Sequence, residues 1–241
     1  MFPTSSSDSV SGRADEVAAG LAEVRARIAA ACAAAGRDPA EVTLVAVTKT
    51  FPASDVRLLA GLGVTDVAEN RDQEAGPKVA QCAGLGLTWH FVGQLQTNKA
   101  RSVVSYADVV HSVDRSRLVA ALSSAAARSG RRPRCLVQVA LDEDEARGGI
   151  RPADVLRLAD EIAGAEGLDL GGVMAVAPLG SDPRAAFTAL AEIAARVRRD
   201  HPAAGVISAG MSGDLAEAIA CGATHVRVGT ALLGGRRAIV R

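Results

Sequence analysis

The feature that most constrains this chain is an alternation, met eight times, of a short apolar run followed by a helix-forming stretch. The runs fall at 43–49, 66–70, 88–94, 109–114, 134–141, 170–177, 205–210 and 225–230. Each is brief, and the first is rich in β-branched residues. That first run, 43–49, shows no clean alternation and reads as a buried parallel strand. The stretches between them read as helices, and Pro152 and Pro183 stand where proline favours a helix start. Strands alternating with helices over short connections call for a parallel sheet covered by helices. Eight units in about 190 residues predict an α/β fold, a single (β/α)8 TIM barrel. The alternative is an open doubly wound sheet. That would carry a glycine fingerprint after the first strand, where this chain has Thr48-Lys49-Thr50.

Residues 14–35 precede the repeat. Val17, Leu21, Val24 and Ile28 recur there at three- and four-residue steps, and Gly36 and Pro39 follow as stop signals. This predicts an extra N-terminal helix outside the barrel. Residues 1–12 are serine-rich without an apolar core, which excludes a signal peptide and predicts a flexible leader. No linker or shift in composition divides 13–241, so one domain is expected. Hydrophobic residues make up 49% of the chain, which excludes disorder for most of it. Lysine plus arginine and aspartate plus glutamate are 27 each, so no basic surface recommends nucleic acid. Cys32, Cys82, Cys135 and Cys221 are scattered without ligand or redox spacing. No run approaches membrane length. A cytoplasmic protein is the expectation.

In a barrel, chemistry gathers at the C-terminal ends of the strands. The first strand ends in Lys49. A half-buried ammonium is costly, its pKa tends to fall, and the amine becomes a nucleophile toward an aldehyde. A surface lysine capping a strand is the plainer alternative. Closure places the eighth strand beside the first. Arg227 then shares a face with His225 and Gly229, and its guanidinium needs an anion or a carboxylate. The segments after strands seven and eight, Ser208-Ala209-Gly210-Met211-Ser212-Gly213 and Gly229-Thr230-Ala231, offer hydroxyls and backbone N–H groups suited to phosphate. Ordinary helix caps would look similar. Asn70, ending the second strand, can donate to a ligand oxygen or cap the next helix. His90 reads as a satisfied core residue, and His111, His201 and His225 lack metal spacing. A lysine, a phosphate cradle and an arginine at one barrel mouth fit pyridoxal 5′-phosphate.

The same residues carry a family resemblance. The segments are Val45-Ala46-Val47-Thr48-Lys49, Glu69-Asn70-Arg71-Asp72-Gln73-Glu74 and Trp89-His90-Phe91-Val92-Gly93-Gln94-Leu95-Gln96-Thr97-Asn98-Lys99. Further on come Val110-His111-Ser112-Val113-Asp114, Gly210-Met211-Ser212 and Arg227-Val228-Gly229-Thr230. Over about 42–236 the chain resembles the pyridoxal-phosphate homeostasis proteins, relatives of the N-terminal barrel of bacterial alanine racemase. The resemblance implies that Lys49 is the Schiff-base lysine and that Asn70 lies near the cofactor's ring hydroxyl. It implies that Ser208, Met211, Ser212, Gly229 and Thr230 hold the phosphate and that Arg227 faces the pyridine nitrogen. Departures are Ala68 where glycine is common, Gln94 where histidine is frequent, and Ala209 where methionine is usual.

The function so implied is that of a pyridoxal-phosphate carrier in vitamin B6 homeostasis, with no established catalysis. It would act as a monomer, with PLP-dependent apo-enzymes as candidate partners. The racemases use a second domain that supplies a tyrosine, whereas this sequence stops at Arg241 and its one tyrosine is Tyr106. A weak amino-acid racemase or lyase is the rival, with His90 as the missing acid–base group. A Schiff-base aldolase without cofactor is a third class.

Overall fold

The computed structural model describes residues 6–142 and 148–235. Eight parallel strands close into one barrel in sequence order. They are β1 (Thr43–Val47), β2 (Asp66–Glu69), β3 (Thr88–Phe91), β4 (Val109–Val113), β5 (Arg134–Gln138), β6 (Asp169–Met174), β7 (Val206–Ser208) and β8 (His225–Val228). Closure is direct: β1 pairs with both β2 and β8. The doubly wound alternative is thereby set aside. Every strand but β6, which starts one residue early at Asp169, lies within its expected run, and each ends short of it, because the last residues of each run leave the ladder to build the mouth.

The helices are α1 (Ser6–Ala34), α2 (Ala53–Gly61), α3 (Asp72–Gln81), α4 (Ala100–Val104), α5 (Ser116–Ser129), α6 (Val155–Gly164), α7 (Pro183–Asp200), α8 (Leu215–Ala220) and α9 (Thr230–Leu233). Asp182 caps α7 by accepting from the Arg184 N–H, with proline at its start. α1 starts at Ser6, within the segment 1–12 expected as a leader, and residues 1–5 lie outside the described residues. The acidic loop expected at 142–145 lies, beyond Asp142, outside them as well. Among the described residues no helix is long and apolar enough to cross a membrane.

The core is mostly outside the barrel wall. One large apolar cluster joins the outer faces of β3–β7 to α4–α7. A second joins Val17, Leu21, Val24 and Ile28 of α1 to Ala46, Val226, Val228 and Leu232. The apolar stripe read from the sequence of α1 is therefore its packing face. Gly20 lets α1 come close: a Cβ there would stand 2.4 Å from the Leu232 carbonyl oxygen. Inside the barrel the apolar fill is small. It consists of Val45, Val47 and Ala68 on one arc and Val109, Leu136 and Met174 on the other. TIM barrels commonly fill this space with branched apolar layers. Here much of it is polar.

Candidate functional site

The mouth is set by register. Val45 pairs with Arg227 on one side, and Val47 pairs with Ala68 on the other. A Cβ on Gly229 would meet the Val47 carbonyl oxygen at 3.1 Å, so β8 runs close against β1. Lys49 follows two residues past Val47, at the end of the strand that pairs with β2 and β8. Lys49 is exposed at the rim, not half-buried as its place in the sequence suggests. The reason is that β1 ends at Val47 and the chain turns, with the Phe51 N–H donating to the Thr48 carbonyl at 3.1 Å. Thr50 in that turn has φ +68°, and it is the one non-glycine residue with positive φ among the described residues. A β-branched residue there is strained by about 1–2 kcal/mol. The lysine is held by a tense turn rather than a relaxed one.

Below Lys49 lies a buried ion pair. The Lys78 ammonium donates to Glu69 Oε1 and, at 2.8 Å, to the Thr48 carbonyl. The Thr48 hydroxyl donates to the same carboxylate oxygen at 2.6 Å. Glu69 is fully buried, and its Oε2 has no hydrogen-bond partner. Burial pushes the Glu69 carboxyl up, against the pull of Lys78 and Thr48. The peptide joining Thr48 to Lys49 is thus anchored to α3. Asn70 is half-buried, and its backbone carbonyl abuts Gly93, where a Cβ would lie 2.1 Å away.

The two proposed phosphate segments come together. The Ala231 N–H donates to the Ser212 hydroxyl at 3.4 Å, and Arg27 of α1 donates to the Ser212 carbonyl. Gly210 has φ +88°. Met211 is exposed, and its N–H donates to Asp214 at 2.6 Å. Thr230 is exposed and Gly229 half-buried. Neither N-cap residue, Asp214 of α8 or Gly229 of α9, makes a side-chain cap bond, and the Ala231 N–H of α9 is taken by Ser212. Backbone N–H groups at two adjoining helix starts can donate to an anionic oxygen.

Arg227 and Ser208 lie deeper. Arg227 is buried. It donates to the Ser208 hydroxyl at 2.7 Å and to the Ala175 carbonyl at 2.9 Å. Burial lowers its pKa to about 10, with Asp214 opposing. Ser208 is 0% exposed, and its hydroxyl is taken up by Arg227 and by His111 Nδ1 at 3.0 Å. The hydroxyl therefore serves the arginine. His111 Nε2 meets His90 Nδ1 at 2.8 Å, and His90 Nε2 meets Asp66 at 3.0 Å. Burial, with the charges of His90, Arg227 and His225 adding to it, holds His111 well below the usual histidine range. His90 is a core residue as expected, though not a lone one. Tyr106 is buried with its hydroxyl 3.4 Å from Asp72, and burial raises its pKa.

Sequence reasoning missed Asp66, His111 and the Glu69–Lys78 pair. A signal was present for the first two. Asp66, His90, His111, Ser208 and Arg227 are polar residues at alternate positions of short apolar strands. Once the sheet closes, those positions all point into the barrel.

The family described as alanine racemase, N-terminal domain, matches residues 20–237. A pyridoxal phosphate homeostasis protein of Mycobacterium bovis is 46% identical, over 93% of this chain and 95% of its own. One from Escherichia coli is 36% identical, over 92% and 97%. PipY of Synechococcus elongatus, solved with PLP bound, superposes with a TM-score of 0.80 at 36% identity, covering 90% of this chain and all of its own.

Proposed function

Since this chain belongs to the alanine racemase N-terminal domain family, in its pyridoxal phosphate homeostasis branch, we propose that it binds pyridoxal 5′-phosphate and serves PLP homeostasis. The observation that carries the reading is the coincidence at one rim of Lys49 with the adjoining starts of α8 and α9. When bound, the cofactor supplies an aldehyde that an amine can hold covalently and reversibly.

In this reading Lys49 provides the amine. The segments at Met211–Ser212 and Gly229–Thr230 take the phosphate through N–H groups and hydroxyls. Asn70 donates toward the ring hydroxyl. Arg227 faces the ring nitrogen from the barrel floor, and Ser208 contributes by holding Arg227. A guanidinium there keeps that nitrogen unprotonated, which weakens the ring as an electron sink and suits holding over turnover. The racemase alternative needs a second acid–base group at the mouth. Among the described residues, His90 is bound to Asp66 and His111, and Tyr106 to Asp72. Neither stands free to serve. With the reading go a monomeric state and PLP-dependent apo-enzymes as recipients.

The test is direct. Protein incubated with PLP should gain a visible absorption band, and borohydride should fix the cofactor's mass on the peptide holding Lys49. Lys49→Ala should abolish both while its far-ultraviolet circular dichroism is kept. A band that survives in Lys49→Ala would overturn the assignment.

A further inference from the structure

Five side chains from five strands form one continuous chain across the barrel interior: Asp66 of β2, His90 of β3, His111 of β4, Ser208 of β7 and Arg227 of β8. We propose that Asp66, His90, His111 and Ser208 are positioning residues that brace the Arg227 guanidinium toward the cofactor's ring nitrogen. The proposal rests on the PLP reading above.

Hydrogen-bond accounting gives the chain a direction. Arginine only donates, so Ser208 Oγ accepts from Arg227 at 2.7 Å. The Ser208 hydroxyl is then free to donate to His111 Nδ1 at 3.0 Å. His111 is fully buried, and burial first, then nearby charges, holds it neutral. With Nδ1 accepting, its proton sits on Nε2 and is donated to His90 Nδ1 at 2.8 Å. His90 then carries its proton on Nε2 and donates it to Asp66 at 3.0 Å. Every donor meets an acceptor, with a cation at one end and a carboxylate at the other. The opposite polarity makes His111 Nδ1 a donor to Ser208. Ser208 would then accept twice and its own O–H would have no acceptor in a fully buried place, which costs about 1–3 kcal/mol.

Each end has a reason to be charged. Burial opposes ionisation of Asp66, but hydrogen bonds from His90 and Thr65 outweigh it and lower its pKa. Its side chain keeps 18% exposure and borders a basal cavity of about 390 Å³ lined also by Arg25, Thr43 and Thr65. Water there can solvate the carboxylate. Arg227 keeps its proton at neutral pH, so the chain passes no proton on: it is a brace, not a wire. The Ala175 carbonyl fixes a second guanidinium nitrogen at 2.9 Å. Two anchors on different nitrogens set the plane of a guanidinium.

The experiment uses the full chain and PLP as the probe. Ser208→Ala cuts the chain. Asp66→Asn keeps an acceptor for His90 and removes the charge. Each variant, and the pair combined, is titrated with PLP and melted without it. Imidazole nitrogen resonances are recorded on the cofactor-free protein at neutral pH. Ser208→Ala should weaken PLP binding roughly tenfold, the loss of one hydrogen bond to a charged group. Asp66→Asn should weaken it less in the parent and not at all in the Ser208→Ala background. The resonances should show His111 protonated on Nε2 and bare on Nδ1, with the Nδ1 signal moving in Ser208→Ala. Equal effects of Asp66→Asn in both backgrounds, or a proton on His111 Nδ1, would overturn the proposal. If Ser208→Ala does not accumulate, Ser208→Cys, of similar size and a weak donor, takes its place. A parent protein that takes up no PLP would sink the functional reading instead. The resonances would still decide the chain's direction.

Discussion

Replacing Lys78 by methionine should be among the most damaging single changes in this barrel. Methionine nearly matches the lysine stem, so packing is kept and the ammonium alone is lost. Glu69 is fully buried and the Lys78 side chain is 8% exposed, so little water can compensate. The carboxylate would keep only the Thr48 hydroxyl at 2.6 Å, since its Oε2 already has no partner. The Thr48 carbonyl would lose its 2.8 Å donor as well. Breaking a buried pair from one side costs about 3–5 kcal/mol, out of a total on the order of 5–15 kcal/mol. Removing both charges in Glu69→Met/Lys78→Met should recover most of this, leaving about 1 kcal/mol for the unpaired Thr48 groups. The sign with pH follows. Without Lys78 the Glu69 pKa rises further above its unfolded value. Its contribution is then intact below the unfolded pKa and lost as pH rises, so the deficit should be larger at pH 8 than at pH 5. Urea unfolding of the cofactor-free variants measures all three effects. A single-variant loss under about 1 kcal/mol, or a double variant no better than the single, would refute the reasoning. Because the same contacts anchor the peptide before Lys49, PLP uptake should weaken in step with the single variant.

Two further outcomes are expected. Burial lowers the His225 pKa to about 4 from 6.5, with His90 adding to it, and burial holds His111 well below 6.5. Both take up a proton only on unfolding, so stability should be level above pH 7 and fall as pH drops from 6.5 toward 4. His225 alone accounts for up to about 3 kcal/mol of that loss. A urea midpoint that does not move over this window would contradict it. Gly93→Ala places a Cβ 2.1 Å from the Asn70 carbonyl oxygen. It should cost about 1–3 kcal/mol by thermal unfolding and loosen PLP binding at Asn70. Gly61→Ala, with nothing within 4 Å of the new Cβ, is the matched control and should not destabilise.

The site was legible in proportion to how local its signals are. Lys49, Asn70, Met211, Ser212, Gly229 and Thr230 each follow a strand that reads clearly as one, so their place at the mouth follows from the repeat alone. The exposure of Lys49 is not legible in the sequence, because strand ends are set by hydrogen bonding to neighbours. The run 43–49 is apolar to Val47, yet the turn that exposes the lysine depends on Thr50 accepting a positive φ. Ser208 opens the loop after β7, which is what groups it with the phosphate segment in the sequence, while its hydroxyl meets Arg227 and His111 inside the barrel.

What the sequence determined by itself was the barrel. Eight buried strands separated by helices leave a chain of this length few other ways to cover every apolar face and pair every backbone group, and strand order follows chain order. It also determined which residues reach the rim, since that is a matter of position along each unit. The tertiary structure decided what the interior holds. Whether Asp66, His90, His111, Ser208 and Arg227 are five separate polar residues or one chain depends on shear and register across the closed sheet, which bring β2 and β3 within reach of β7 and β8. The same closure put Lys78 of α3 against Glu69 and Thr48. A buried charge is tolerable only beside its partner, and no local pattern in the sequence says where that partner will be.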